Sequence, residues 1–438
     1  MMSLFYSLLI AATLLVLPSP EKLDTVTALT NARIVTVTQG TIENGTILIQ
    51  DGTIIQIGAD VDIPEDARVI DLEGLSVYPG MIDSGTQMGL VEVGSLPETR
   101  DASELGDLSP QMKALTAVNP NGVAIPVTRV SGVTTVLTVP SGGMLPGQAA
   151  LINLHGYTPQ QMFAGFEGIV LHFPATGRRG RFDSRSEEEV KKAADEAMKK
   201  LNDTWDSAEL HHRIDSTYQA HLEDGRKPEY VPSMEALRDV IRGEQTLIIQ
   251  VNAAKDILAA IEWVQTRGID RAIFSGLAEG WRVADKLAES RIPCLVGPVL
   301  SIPTRQSDRF DKAYRNAGLM HAAGVKIALR SDDTANARNL PYHAGFATAY
   351  GLPLEETLRA VTINPAEIFG VNDRLGSLEV GKEATFFVAD GDPFETATMI
   401  HHVFIAGYEI PMESRHTRLY EEFLQRSPGL HKHGGNKP

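Results

Sequence analysis

The sequence is poor in the residues that most often announce a chemistry. A single cysteine, Cys294, among 438 residues excludes an intrachain disulfide framework and every multi-cysteine zinc or iron–sulfur motif. It lies in the apolar run Ile292-Pro-Cys-Leu-Val-Gly297, where a thiol reads as a small buried hydrophobe rather than a nucleophile. Positive charge is also scarce. Against 56 Asp+Glu stand 40 Lys+Arg, a net charge of −16, which repels phosphate backbones and anionic membrane surfaces, so no nucleic-acid partner is expected. Histidines are few, and none follows the His-x-x-x-His spacing of a helical metal site. Leu4 to Leu17 is uncharged, but as a helix it would reach only about 21 Å, short of the ~30 Å hydrocarbon core. Closed by Pro18-Ser19-Pro20, it fits a secretory signal h-region and an exported, periplasmic or extracytoplasmic protein, with an uncleaved membrane tether as the alternative. No membrane span is expected beyond it.

What is present is an ordinary globular composition, 43% apolar and 22% charged, on a chain long enough for a large barrel and an accessory domain. Short alternating runs, Ala32–Val37, Thr46–Gln50 and Thr53–Ile57, are separated by Asn44-Gly45 and Asp51-Gly52, a strand-and-hairpin texture. It returns only at Ala384–Ala389 and His402–Gly407, so the two ends are expected to pair into one β-sandwich from residues 26–77 and 380–415. Between them the texture is that of buried strands followed by helices. Candidate strands are Thr134–Val139, Gly168–His172, Thr246–Val251, Arg271–Ser275, Pro293–Gly297 and Val325–Arg330. Helices are predicted over Ile257–Gln265, Trp281–Glu289, Ala313–Ala323 and Leu354–Val361. This alternation predicts an α/β fold, a closed (β/α)8 TIM-like barrel over residues 78–379, with functional residues at the C-terminal ends of its strands. Ser186–Leu201 predicts a solvated insertion helix with Glu187 and Lys191 as an i,i+4 pair. Arg178-Arg-Gly-Arg181 before it reads as a loop or an anion contact, and residues 416–438 as a helix with a disordered tail holding His431 and His433.

Three stretches carry a resemblance. They are Val77-Tyr-Pro-Gly-Met-Ile-Asp83; Ser331-Asp332-Asp333 with Ala337-Arg-Asn-Leu-Pro-Tyr-His-Ala344; and Thr362-Ile-Asn-Pro-Ala-Glu-Ile-Phe-Gly370 running on to Leu375–Ala384. Gly132-Val-Thr-Thr-Val136 and the Gly143–Gln148 loop add to them. In consistent order from about residue 30 to 410, they resemble the amidohydrolase superfamily, specifically its imidazolonepropionase-like branch. That resemblance implies a metal-binding barrel flanked by a β-sandwich from both termini, hydrolysing non-peptide C–N bonds such as cyclic amides.

The resemblance also implies a set of metal ligands: His-x-His after strand 1, a Lys or Glu on strand 4, a His after each of strands 5 and 6, and an Asp after strand 8. At the matching positions stand Gly85 and Gln87, Val170, Asn252, Ser275 (or Gly276) and Asp332. Glycine and valine offer no donor, and neutral amides are poor zinc ligands beside imidazole. Asp332 survives. His172, two residues beyond Val170 and on the same face of its strand, is the other candidate residual ligand, or else a buried histidine bonded to backbone. The polar set expected at the mouth is Gln87, Asn252, Arg330, Asp332, Asp333, Arg338, Asn339 and His343, with Arg330 and Asp332 close enough to pair.

Two readings follow. In the first, the protein is a C–N hydrolase with a reduced or absent metal, in which Asp332 acts as general base on a water, amides serve as oxyanion donors and the mouth residues bind substrate. In the second, it is a non-catalytic descendant whose mouth holds a small ligand or serves assembly. A divalent zinc enters only by analogy with the family, and so does a homodimer.

Overall fold

The computed structural model describes residues 21–23, 25–177, 184–220 and 229–426. The Leu4–Leu17 run, the Arg178–Arg181 run and the tail with His431 and His433 lie outside the described residues. Among those described, no helix is long and apolar enough to cross a membrane.

Both chain ends meet in one nine-stranded sheet. Strand Phe386–Ala389 pairs antiparallel with Ser76–Pro79, which pairs in turn with Thr27–Val35. The C-terminal strands thus enter the middle of a sheet begun by the N-terminal ones. The period-two pattern sends Leu29, Ile47, Phe386 and Phe404 into a core of their own. The sheet curls until Gly52 and Gly407 touch backbone to backbone, where a Cβ on Gly407 would lie 2.2 Å from the Gly52 Cα. Only glycine allows that approach.

Ser76–Pro79 leads directly into the barrel, whose strands are β1 (Met81–Thr86), β2 (Val133–Thr138), β3 (Gly147–Asn153), β4 (Phe163–His172), β5 (Thr246–Val251), β6 (Ala272–Gly276), β7 (Cys294–Val296) and β8 (Ile327–Leu329). Ile82, Leu137, Val170, Ile248, Ile273, Leu295 and Ala328 fill the interior as a packed core. Just beyond the strand ends, Asp332 N–H donates to Gly85 O at 3.0 Å and links β8 to β1.

One strand departs from the sequence expectation. β3 runs antiparallel to both β2 and β4. The segment 139–146 between β2 and β3 is too short for a helical crossover, which takes a dozen or more residues, so the chain turns back as a hairpin over the mouth. The Gly143–Gln148 stretch is that turn and the start of β3.

The outer helices follow the predicted amphipathic runs with shifted ends. Ala254–Arg267 buries Ile257, Ile261 and Val264 and stops at Gly268, whose φ of 62° is a left-handed cap. The segment predicted as one helix from Trp281 is a 3-10 turn, Gly280–Arg282, followed by Ala284–Ser290. The insertion helix is far longer than predicted, Glu187–Ala220. It docks through Leu201, Trp205 and Ala208, and Trp205 meets Trp263 edge-on at 5.1 Å.

Candidate active site at the barrel mouth

The C-terminal ends of β5 to β8 enclose a cavity of about 350 Å³, at the small end of the range for small-molecule sites. Asn252, Ser275, Arg330 and Asp332 line it, four of the positions that the sequence singles out.

Arg330 is its centre. The side chain follows β8 and is almost completely buried, at 3% exposure. Its Nη1 donates to Ser275 Oγ on β6, and its Nη2 to Asp332 Oδ1. Nε is buried with no hydrogen-bond partner among the described residues. It faces Gly85: a Cβ there would lie 2.9 Å from Arg330 Nε and 3.1 Å from Cζ. On the other side a Cβ on Gly297 would come within 2.2 Å of Arg330 O. Gly85 therefore opens the slot in which the guanidinium lies, Gly297 makes room for the Arg330 backbone, and any side chain at position 85 collides with the guanidinium.

Beneath the slot, Asp83 is fully buried. It accepts from Gly85 N at 3.1 Å, from Ser331 N at 3.0 Å and from Ser331 Oγ. Burial pushes its carboxyl up to about 6, with the three donors and the nearby Arg330 charge pulling the other way. Asp332, its side chain half exposed, sits in the left-handed region at φ 58°, a conformation that aspartate tolerates better than most residues.

The other sequence-selected residues lie elsewhere. Val170 belongs to the barrel core. His172 shares its face and closes the top of β4, where Nδ1 donates to Gly142 O at 3.0 Å; burial first, and the Arg330 charge after it, lower its pKa. His343 is buried beneath the loop after β7, where its Nδ1 accepts Val299 N at 3.2 Å and Leu300 N at 3.4 Å. Burial lowers it to about 4, so it is a neutral acceptor that holds the loop rather than a group at the mouth. Arg338 points outward and donates to His416 Nδ1 on the C-terminal helix Arg415–Gln425 at 3.2 Å. Asn339 is the N-cap residue of helix Leu340–Ala349 without a side-chain cap bond, and Gln87 follows β1 outside the cavity lining.

Three contributors escaped sequence reading: Asp83 as the buried anchor, and Trp281 and Lys312 on the cavity wall. Asp83 stands in a motif used for the resemblance, Met81-Ile-Asp-Ser84, and an acid in an apolar strand was the available signal. Trp281 and Lys312 come from separate elements, and nothing local joins them.

Among the described residues, no group of three or more His, Cys, Asp or Glu side chains is placed to hold a metal ion. The donors at the positions implied by the family are one carboxylate, neutral amides and a hydroxyl, beside a fixed guanidinium.

Comparison with known proteins agrees with this architecture. The solved structure of an amidohydrolase from Thermotoga maritima superposes with a TM-score of 0.76 at 26% identity, covering 87% of this chain and 99% of that one. An imidazolonepropionase of Sphingopyxis alaskensis is 24% identical over 434 residues, covering 84% of this chain and 92% of the relative. Amidohydrolase tasK of Hapsidospora irregularis is 24% identical over 402 residues, 83% of this chain, which spans only 39% of that relative's length. The family model described as "Amidohydrolase family" matches residues 129–410, more than half of the chain, and with the barrel and its flanking sheet this shows that the chain belongs to the amidohydrolase family.

Proposed function

We propose that this protein is a small-ligand-binding member of the family in which Arg330 has taken the place of the metal centre. One observation carries the reading: the guanidinium lies in a slot open only because residue 85 is glycine. The donor set does not fit a divalent ion. Zinc sites need imidazole, thiolate or several carboxylates, and a cation placed there would be repelled by Arg330. The fixed guanidinium instead satisfies Asp332, one cation in place of another.

Metal-free C–N hydrolysis, with Asp332 as base, is the second reading, favoured by the half-exposed carboxylate on the cavity wall. Its difficulty lies in the transition state. A metal supplies several kcal/mol of charge stabilisation there. Arg330 is a poor substitute, because both Nη atoms are already engaged and the side chain is closed to solvent.

Metal analysis of the purified protein tests the proposal, paired with turnover assays on cyclic amides and N-acyl amino acids. The expected result is substoichiometric metal and no turnover. Stoichiometric zinc that disappears in Asp332→Ala overturns it, and so does metal-independent hydrolysis that the same substitution abolishes. The Leu4–Leu17 run supports placing this binding function outside the cytoplasm.

A further inference from the structure

The segment around the outer wall of the cavity, residues 279–312, is rich in charge, and three of its arginines are matched with acids. Arg305 grips Glu279 with Nε at 2.5 Å and Nη2 at 2.6 Å. Arg282 pairs with Asp308, and Arg309 with Asp311 at 2.9 Å. Lys312, on the cavity wall, differs. Its ammonium lies 4.2 Å from the centroid of the Trp281 ring, and no carboxylate among the described residues pairs with it. The Arg282 guanidinium lies against the same ring at 4.1 Å. Lys312 and Trp281 both line the cavity.

The charges on that wall can be counted. The lining carries Arg330 and Lys312 as cations and Asp308 and Asp332 as anions. Asp332 is matched by Arg330 and Asp308 by Arg282, which leaves the one charge of Lys312 uncompensated, inside a protein of net charge −16. A cation held over an aromatic face, with no acid paired to it among the described residues, is positioned to attract an anion entering the cavity. Val299, Ile302 and Pro303 give the same cavity an apolar wall. A single uncompensated charge beside apolar surface matches an organic monoanion better than a multiply charged phosphate, which would call for several donors.

We propose that Lys312 and Trp281 form a carboxylate subsite, so that the ligand of the barrel mouth is a small organic monocarboxylate, its polar remainder directed to Asn252 and Asp332. Lys312 supplies the charge. The Trp281 ring restricts where the ammonium can go, and the apolar wall receives the body of the ligand. This inference rests on the ligand-binding reading above and adds the chemical class of the ligand.

The test is calorimetric titration of the full-length protein with hippurate and N-acetyl-L-alanine, each against its neutral primary carboxamide, and with inorganic phosphate. The carboxylates are expected to bind, and their carboxamides to bind at least about tenfold more weakly. Lys312→Gln is expected to erase that discrimination, while Lys312→Arg retains it. The carboxylate–carboxamide comparison needs no variant, so it stands even where Lys312→Gln folds poorly. Equal binding of acid and amide overturns the subsite, as does an unchanged affinity in Lys312→Gln, or Lys312-dependent binding of phosphate alone. Metal-free protein that fails to distinguish acid from amide refutes the subsite only, whereas stoichiometric zinc refutes the reading on which it rests.

Discussion

Arg330 and Gly85 form one unit, although 245 positions separate them in the chain. A methyl group at position 85 would meet the guanidinium at 2.9 Å, and the guanidinium is pinned by Ser275 and Asp332. Gly85→Ala is therefore expected to destabilise the protein by roughly 1–3 kcal/mol, as overpacking of a filled site does. In an Arg330→Ala background the same change should cost markedly less. Urea unfolding of the two single variants and the double variant checks this, and strictly additive losses would show that the slot is not shared.

Two buried titratable groups give opposite pH signatures. His343 is held near 4 in the fold against about 6.5 in an unfolded chain, so it contributes stability above pH 6.5 that is lost as pH falls toward 4. The amount is on the order of 3 kcal/mol. His343→Gln, which keeps an acceptor for Val299 and Leu300, should flatten the acid limb of stability over that window. Asp83 runs the other way. Its folded value near 6 lies above its ordinary 3.8, so its contribution is full below pH 3.8 and fades as pH rises through 6. Relative to the wild type, Asp83→Asn should gain stability between pH 4 and 6. Unfolding curves at half-unit pH steps separate the two, and parallel pH profiles for variants and wild type would refute both assignments.

At the scale of elements, local pattern located the helices better than it located their ends. The insertion helix was legible as far as Leu201, but beyond that point it docks through Trp205, which meets Trp263 of the helix after β5. That contact is tertiary and leaves no local periodic mark. Trp205→Ala should cost about 3–5 kcal/mol, the usual range for emptying a buried aromatic site. Ile214→Ala, at a position 47% exposed, should change stability by less than about 0.5 kcal/mol. Similar losses for both would mean that the Ile214 side chain is packed after all. The reversed β3 escaped notice for a related reason. Gly147–Asn153 is short and fully buried, and a buried strand has the same composition whichever way it runs.

At the scale of the molecule, sheet and barrel are joined through chain order. Strand Ser76–Pro79 is flanked by Phe386–Ala389 on one side and Thr27–Val35 on the other, and it runs straight into β1. Truncation after Glu383 removes the C-terminal strands from the interior of the sheet, and it also strips the partner from the segment that feeds the barrel. The truncated chain is expected to lose cooperative unfolding altogether. A barrel that still melted cooperatively, seen by calorimetry, would show it to be independent of the sheet.

Fold class was readable from residue order, because alternation of period two and period 3.6 is a local property, and the terminal strand textures could only satisfy one another. The residues at the positions matched to the family's ligands, Gly85, Gln87, Val170, Asn252 and Ser275, were readable too, since identity at motif positions is a local property. Which groups share the mouth was a different matter. His343 and Arg338 stand in the same motif as Asp332 yet turn away, one to roof a loop and the other to meet a C-terminal helix. Trp281 and Lys312 come together only when the 3-10 turn after β6 and the helix after β7, Lys312–Ala322, converge near the strand ends. A side chain's direction is set by packing against residues distant in the chain, and that information exists only once the barrel has closed.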